Sequence, residues 1–326
     1  MRLSILSASC AALAFAETLP VPLGLDAYVP APASNPMTRE KVELGRALFF
    51  FRGLSRDGTL SCGGCHLPER AFTDGKPGAV GVRGQVSSRR TPPLLNRAWG
   101  KSFFWDGRAA TLEAQVLQPI LNPKEMDLTL EEIRQRVRAE ETIHRRMKQV
   151  FGREAENEDI ALALASYVRT ILSGDSPYDR FVAGDRTALS PQQQLGLRLF
   201  RGKANCVACH VGPQFSDERF HNTGTAWRNG EFVDAGRAAV SQEQADRGAF
   251  RTPGLREVAG AAPYMHDGSL QTLEEVVDFY DEGGRENPER DAEMNELKLT
   301  MEEKRALVEF LKSLSGKVSE GWPEAR

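Results

Sequence analysis

Cys62-Gly63-Gly64-Cys65-His66 sets two thiols three positions apart with an imidazole directly after them, and Cys206-Val207-Ala208-Cys209-His210 repeats the arrangement. This is the attachment signature of a c-type haem. The thiols form thioethers with the porphyrin vinyls, and the histidine ligates the iron on its proximal side. The spacing therefore predicts two covalently bound haems, tethered by Cys62, Cys65, Cys206 and Cys209 and ligated by His66 and His210. The fifth cysteine is Cys10, so no thiol remains for a structural disulfide. Three histidines are left as further candidates. His144 lies in the charged run ETIHRRMKQ and reads as a surface residue, and His221 reads as loop packing or a propionate contact. His266, in the Pro/Gly loop from Pro263 to Gly268, is the most site-like.

The elements that position these motifs are helices. From Thr38, a plausible N-cap, REKVELGRALFFF has helical apolar spacing and leads through a polar turn into the first motif. Before the second motif, Ser190 with Pro191 and Gln193 forms a capping box at the start of another helix. Leu44-Gly45-Arg46-Ala47-Leu48-Phe49 rhymes with Leu195-Gly196-Leu197-Arg198-Leu199-Phe200, and Ala71-Phe72-Thr73-Asp74 with Gln214-Phe215-Ser216-Asp217. A repeated helix followed by CxxCH predicts two related domains, divided near Ala183 to Thr187. Further helices are expected from Thr111 to Leu121 with a break near Pro119, from Thr129 to about Val150, and from Asp159 to Leu172. Two more start at the capping boxes Thr272/Glu275 and Thr300/Glu303. Strand-like alternation is nearly absent, so the fold class is mainly α, with two cytochrome-c-like haem domains in tandem.

Lys and Arg total 42 against 45 Asp and Glu, a net charge of -3, which gives no nucleic-acid surface and no polybasic membrane contact. The opening MRLSILSASCAALAFAE reads as a signal peptide with an A-x-A site at Ala14-Phe15-Ala16. Its apolar run is too short to span a bilayer, so residues 1–16 are expected to be removed. That leaves no integral membrane segment and places the chain in the periplasm, as 17–185 and 186–326.

The two CxxCH motifs, Phe104-Trp105-Asp106-Gly107-Arg108-Ala109, Asn122-Pro123-Lys124-Glu125-Met126 and the Pro263-to-Gly268 loop resemble the bacterial di-haem cytochrome c peroxidases. That family includes the MauG-like proteins that mature methylamine dehydrogenase, and the similarity runs from about Pro36 to Leu314. It implies reduction of hydrogen peroxide at the N-terminal haem, with electrons relayed through the C-terminal haem. The donor would be a small redox protein, a cytochrome c or a cupredoxin, and a homodimer is compatible with it. By position, Trp105 matches the tryptophan that relays electrons between the haems. Gln115 and Glu125, ten and twenty residues on, match the polar pair beside the peroxidatic haem, and His266 a further catalytic position. Glu125 would move a proton between the peroxide oxygens if burial raises its pKa, while Gln115 would hold peroxide without adding charge. Arg251 and Arg108 pair with haem propionates or lie on the surface.

Three departures refine the resemblance. Many members block the peroxidatic iron with a histidine before the tryptophan, and from Leu67 to Phe104 this chain has none. The first haem is therefore expected to be open. Tyr280, fourteen residues after His266, takes the place of a methionine ligand, as in MauG-like members, with Met294 and Met265 as rivals. The family's calcium site uses an asparagine and two carbonyls. The carbonyls correspond to Ala261 and Pro263, but the asparagine position is Arg90, which cannot ligate a cation and speaks against calcium. The alternatives are a MauG-like oxidase acting on side chains of a protein substrate, and an electron carrier without peroxidase activity. A zinc reading of the CxxCH pairs leaves Trp105, Gln115 and Glu125 unexplained.

Overall fold

Helices pack in pairs, and the loops between them carry the chemistry. The computed structural model describes residues 19–323; the expected signal peptide lies outside them. The helices are α1 (Arg39–Phe50), α2 (Cys62–Cys65), α3 (Leu112–Val116), α4 (Gln118–Leu121), α5 (Leu130–Ala139), α6 (Glu141–Phe151), α7 (Asn157–Val168), α8 (Pro177–Val182), α9 (Pro191–Arg201), α10 (Ala238–Ser241), α11 (Leu273–Asp281) and α12 (Met301–Lys312). Sheet structure among these residues is confined to three two-stranded ribbons. Among the described residues, no helix is long and apolar enough to cross a membrane.

Two close helix crossings repeat. α1 crosses α7 at Gly45, where an added Cβ would sit 1.9 Å from the carbonyl oxygen of Ala163. α9 crosses α12 at Gly196, where it would sit 2.0 Å from that of Ala306. Only a residue without Cβ allows backbones this near, which explains the glycine in both copies of the rhyming sequence. Each crossing anchors its own apolar core, one built on Leu44, Leu48 and Leu164, the other on Leu197, Phe310 and Leu311.

The caps behave as their residues dictate. Thr38, Thr111, Thr129, Ser190, Thr272 and Thr300 each accept a first-turn amide. The break before Pro119 falls at Leu117, which puts Pro119 in the first turn of α4. The helix expected to run to Val150 is interrupted at Glu140, whose backbone is extended (ψ 102°). The reason is phase: Ile133 and Val137 form one apolar stripe and Ile143 and Met147 another. Six residues at roughly 100° each put Ile143 well off the first stripe, and one extended residue turns both stripes inward.

A second, longer duplication frames the site. Arg90-Thr91-Pro92 to Asp106-Gly107 aligns without gaps on Arg251-Thr252-Pro253 to Asp267-Gly268. The backbones agree: Asn96 and Glu257 are left-handed (φ 57° and 58°), as are Phe104 and Met265 (φ 67° and 66°). The bridges Phe103↔Ala109 and Tyr264↔Leu270 close the same turn in each copy, and Thr111 and Thr272 then cap α3 and α11. Trp105 and His266 thus occupy equivalent places.

The halves also exchange segments. Tyr178 and Phe181 of α8 pack on the second core, and Asp179 makes a buried ion pair with Arg256 at 2.7 Å. In return, Lys317–Ser319 pairs with Leu172–Gly174 of the first half.

Candidate active site

Each CxxCH motif opens on its own cavity. The first is lined by Cys62, Cys65 and His66 together with Trp105, Gln115 and Glu125. The second is lined by Cys206, Cys209 and His210, with His266 and Tyr280.

The histidine geometry is the same twice. Nδ1 of His66 lies 2.8 Å from the carbonyl oxygen of Phe72, and Nδ1 of His210 lies 2.8 Å from that of Phe215. A carbonyl only accepts, so each Nδ1 carries the proton and each Nε2 keeps its lone pair, the arrangement of a metal-ligating histidine. Burial lowers the pKa of both rings and keeps them neutral. Phe72 and Phe215 present their carbonyls from left-handed backbone (φ 57° and 54°), which is the structural content of the rhyme between Ala71–Asp74 and Gln214–Asp217.

These residues fit a covalently attached macrocycle. Cys62, Cys65, Cys206 and Cys209 are unpaired thiols. Burial pushes Cys62 up to about 12 and Cys65 up to about 11, the opposite of the lowered pKa of a dithiol redox motif. The hydroxyl of Thr91, on the wall of the first cavity, is buried without a hydrogen-bond partner, a polar atom of the kind a bound group would satisfy.

In the first cavity, α3 carries Gln115 and the turn after α4 carries Glu125. Helix α3 has only five residues and is held from behind: Glu113 takes both terminal nitrogens of Arg169 at 2.7 and 3.1 Å and the amide of Asn35 at 2.8 Å. Burial raises the pKa of Glu125, against the opposing hydrogen bond from Asn122 at 2.7 Å and the charge of Arg108. Among the described residues, His66 is the only histidine lining this cavity. Arg108 is half-exposed, stacked 3.4 Å over Phe104 and paired with Asp106.

In the second cavity His266 is buried, stacked at 3.6 Å and 14° on Phe250, with Nδ1 3.4 Å from the Thr225 hydroxyl. Burial drives its pKa down to about 4. It is brought together with His210 and Tyr280 and not with Glu125 and Gln115. Tyr280, Met265 and Met294 all line this cavity. Burial, with the Cys209 and Cys206 thiols beside it, pushes the Tyr280 phenol up. His221 is clamped between carboxylates, Nδ1 2.5 Å from Asp291 and Nε2 2.9 Å from Asp217, so both ring nitrogens are engaged. His144 pairs at the surface with Glu154 at 2.7 Å.

Arg90, Pro93, Trp105 and Arg251 line both cavities. The Trp105 indole donates to the Arg90 carbonyl at 3.0 Å. The Arg90 guanidinium donates to the Ala261 carbonyl at 2.6 Å, and burial lowers its pKa to about 10. Arg251 is buried rather than on the surface, and it pairs with Glu218 at 3.1 Å. Sequence reading missed Arg97, which shares that carboxylate at 2.6 Å, and Arg89, which joins Asp106 at 2.6 Å to Asp234 at 2.7 Å. No local signal marks either: Arg89 lies just before the duplicated Arg-Thr-Pro, and Arg97 aligns with Val258 in the other copy.

A sequence profile described as di-haem cytochrome c peroxidase matches residues 39–187. The methylamine utilization protein MauG of Methylorubrum extorquens is 42% identical over 288 residues, covering 88% of this chain and 81% of that protein. The cytochrome-c peroxidase IdrP1 of Denitromonas iodatirespirans is 38% identical over 326 residues, covering 90% and 86%. The crystal structure of a MauG-like protein associated with microbial copper homeostasis superposes with a TM-score of 0.83 at 33% identity, covering 94% of this chain and 95% of that one.

Proposed function

We propose, from the premise that this chain belongs to the di-haem cytochrome c peroxidase family, that hydrogen peroxide is reduced in the first cavity by electrons drawn across Trp105 from the second. Peroxidase-type oxidoreductase activity comes with the family. The finer reading gives each haem c to one motif, Cys62/Cys65/His66 and Cys206/Cys209/His210. When bound, the haems supply an iron that accepts peroxide and the electrons that break its O–O bond.

The chain's residues do the rest. Gln115 holds peroxide by hydrogen bonds without adding a charge. Glu125 takes the proton from the inner peroxide oxygen and returns it to the outer one, so that water leaves. Its raised pKa makes it a stronger proton acceptor than an ordinary carboxylate. Trp105, on the walls of both cavities, is the electron path, and Arg251 balances a propionate. Electrons arrive from a small redox protein, a cytochrome c or a cupredoxin, in the periplasm.

That Glu125 and Gln115 line the same cavity as His66 carries this reading. In stopped-flow mixing with peroxide, the ferric protein should change its spectrum rapidly and the Glu125→Gln variant should not. Equal rates would leave only an electron carrier.

A second reading, a MauG-like oxidase of protein side chains, is favoured by His66 being the only histidine on the first cavity's wall among the described residues and by Tyr280 in the second cavity. It expects high-spin ferric haem in the resting protein, and a resting spectrum without any would sink the open first site.

A further inference from the structure

The two helix crossings can be compared ring by ring. In the first half, Phe49 of α1 packs on Tyr167 of α7 with centroids 5.0 Å apart and planes at 60°. In the second half the matching pair is Phe200 of α9 and Phe310 of α12, at 5.1 Å and 58°. Tyr167 and Phe310 also hold the same place against the glycines: each Cβ lies within 3 Å of where a Cβ on Gly45 or Gly196 would be. Phenylalanine therefore satisfies this packing, and the hydroxyl is an addition made in the first half alone.

That hydroxyl is fully buried and donates to Oε2 of Glu320. The carboxylate is delivered from the far end of the chain. Lys317–Ser319 pairs with Leu172–Gly174, the Gly321 amide donates to Oγ1 of Thr170 at 2.8 Å, and Arg46 holds Oε1 at 2.9 and 3.3 Å. The Glu320 side chain keeps 23% of its surface exposed, so the group that accepts from a buried phenol also reaches water. On the opposite side, the Phe49 ring lies 6.3 Å from the ring of His66. One phenylalanine separates Tyr167 from the proximal side of the first cavity.

We propose that Tyr167, with Glu320 as its proton acceptor, is a redox-active side chain that gives an electron to the first cavity through Phe49 when external donors are lacking. The inference rests on the reading that peroxide is reduced there. An oxidised phenol is a strong acid, so it needs a carboxylate already in hydrogen-bond contact, and here one is in place. Each peroxide takes two electrons and two protons to become two waters. One electron leaves the Tyr167 ring as its O–H bond breaks, the proton moves to Glu320 Oε2, and a neutral phenoxyl remains. The second electron crosses Trp105 from the other half, and the two protons come from solvent. An incoming electron, with the proton returned from Glu320, restores the phenol.

The test uses haem-loaded full-length protein with ring-deuterated tyrosine, mixed with one equivalent of hydrogen peroxide without donor and frozen for EPR. Peroxide loss is measured in the same sample, and a spin-trapped sample is digested for mass spectrometry. The expected result is a radical signal narrowed by deuteration, a trap adduct on the peptide holding Tyr167, loss of both in Tyr167→Phe, and a lower yield in Glu320→Gln. Because phenylalanine already fills the equivalent place at position 310, Tyr167→Phe should fold. The adduct in wild-type protein assigns the site without any variant. Peroxide loss without a deuterium-sensitive signal, or an adduct only elsewhere, overturns the inference and leaves the peroxidase reading standing. No peroxide loss overturns both.

Discussion

The backbone amide of Arg251 donates to the carbonyl oxygen of Trp105 at 2.8 Å, and Arg90 and His266 repeat that contact at 2.9 Å. Each arginine opens one copy of the Arg-Thr-Pro duplication and clasps the Trp/His turn of the other copy. The exchange makes Trp105 part of both walls: its own half supplies the indole, and the other half fixes its backbone. A side chain that lines both cavities is thereby held by both halves.

The partner of Arg90 bears on calcium. Its guanidinium already donates to the Ala261 carbonyl at 2.6 Å in a buried position, so a positive charge stands at the carbonyl a cation would need. Chelator treatment should leave activity and melting temperature unchanged, and metal analysis should find no stoichiometric calcium. Arg90→Ala should lose roughly 1–3 kcal/mol in denaturant unfolding through the unsatisfied buried carbonyl. Stoichiometric calcium that stabilises the wild-type protein would refute this.

Glu125 gives a pH signature. Burial raises its carboxyl pKa, so the proton-accepting form builds up only above the ordinary carboxylate range. The rate of the peroxide-induced spectral change should rise with pH through that raised pKa, and Glu125→Gln should abolish the step and slow the reaction roughly 10²–10⁴-fold. The sign for stability is opposite. A carboxyl with a raised folded-state pKa gives its relative stabilisation below the unfolded pKa and loses it as pH rises through the folded one. At neutral pH Glu125→Gln should therefore unfold at slightly higher denaturant. A pH-independent rate in wild-type protein would remove Glu125 from the proton path.

Much of this site is legible because covalent chemistry writes itself into spacing: CxxCH, the caps, and the rhyme between the Gly45 and Gly196 helices are all local. The long duplication is not, because between Arg-Thr-Pro and Asp-Gly only Leu94/Leu255 and Ala98/Ala259 persist, and Trp105 aligns with His266. The break at Glu140 escaped because no Gly or Pro marks it and only the phase of the apolar stripes demands it. Glu320 meets Tyr167 across 153 positions, a contact that no local pattern encodes.

Ligation in the second cavity turns on a contest among three side chains. Tyr280, Met265 and Met294 all stand on its wall, and burial pushes the phenol up, so phenolate needs the charge of a bound metal to form. Tyr280→Phe should change the low-spin spectrum of the haem-loaded protein, whereas Met294→Leu and Met265→Leu should not. A change in a methionine variant alone would transfer the ligand role to it.

The glycine crossings yield a matched pair of stability predictions. Alanine in place of Gly45 meets the Ala163 carbonyl at 1.9 Å, and in place of Gly196 the Ala306 carbonyl at 2.0 Å. In both cases the obstacle is backbone, which cannot swing aside as a flexible side chain would. Replacing a helical glycine by alanine ordinarily gains up to about 1 kcal/mol, while overpacking a fitted interior loses about 1–3 kcal/mol and more where nothing can yield. The clash should win, leaving each variant about 2 kcal/mol less stable in denaturant unfolding. Gly260→Ala is the control: no atom lies within 4 Å of its added Cβ, so its midpoint should stay put. Since each crossing holds its own core and motif, Gly45→Ala should loosen the His66 haem spectrum first and Gly196→Ala the His210 spectrum first. Identical spectral losses in the two variants would mean that the halves unfold as one unit.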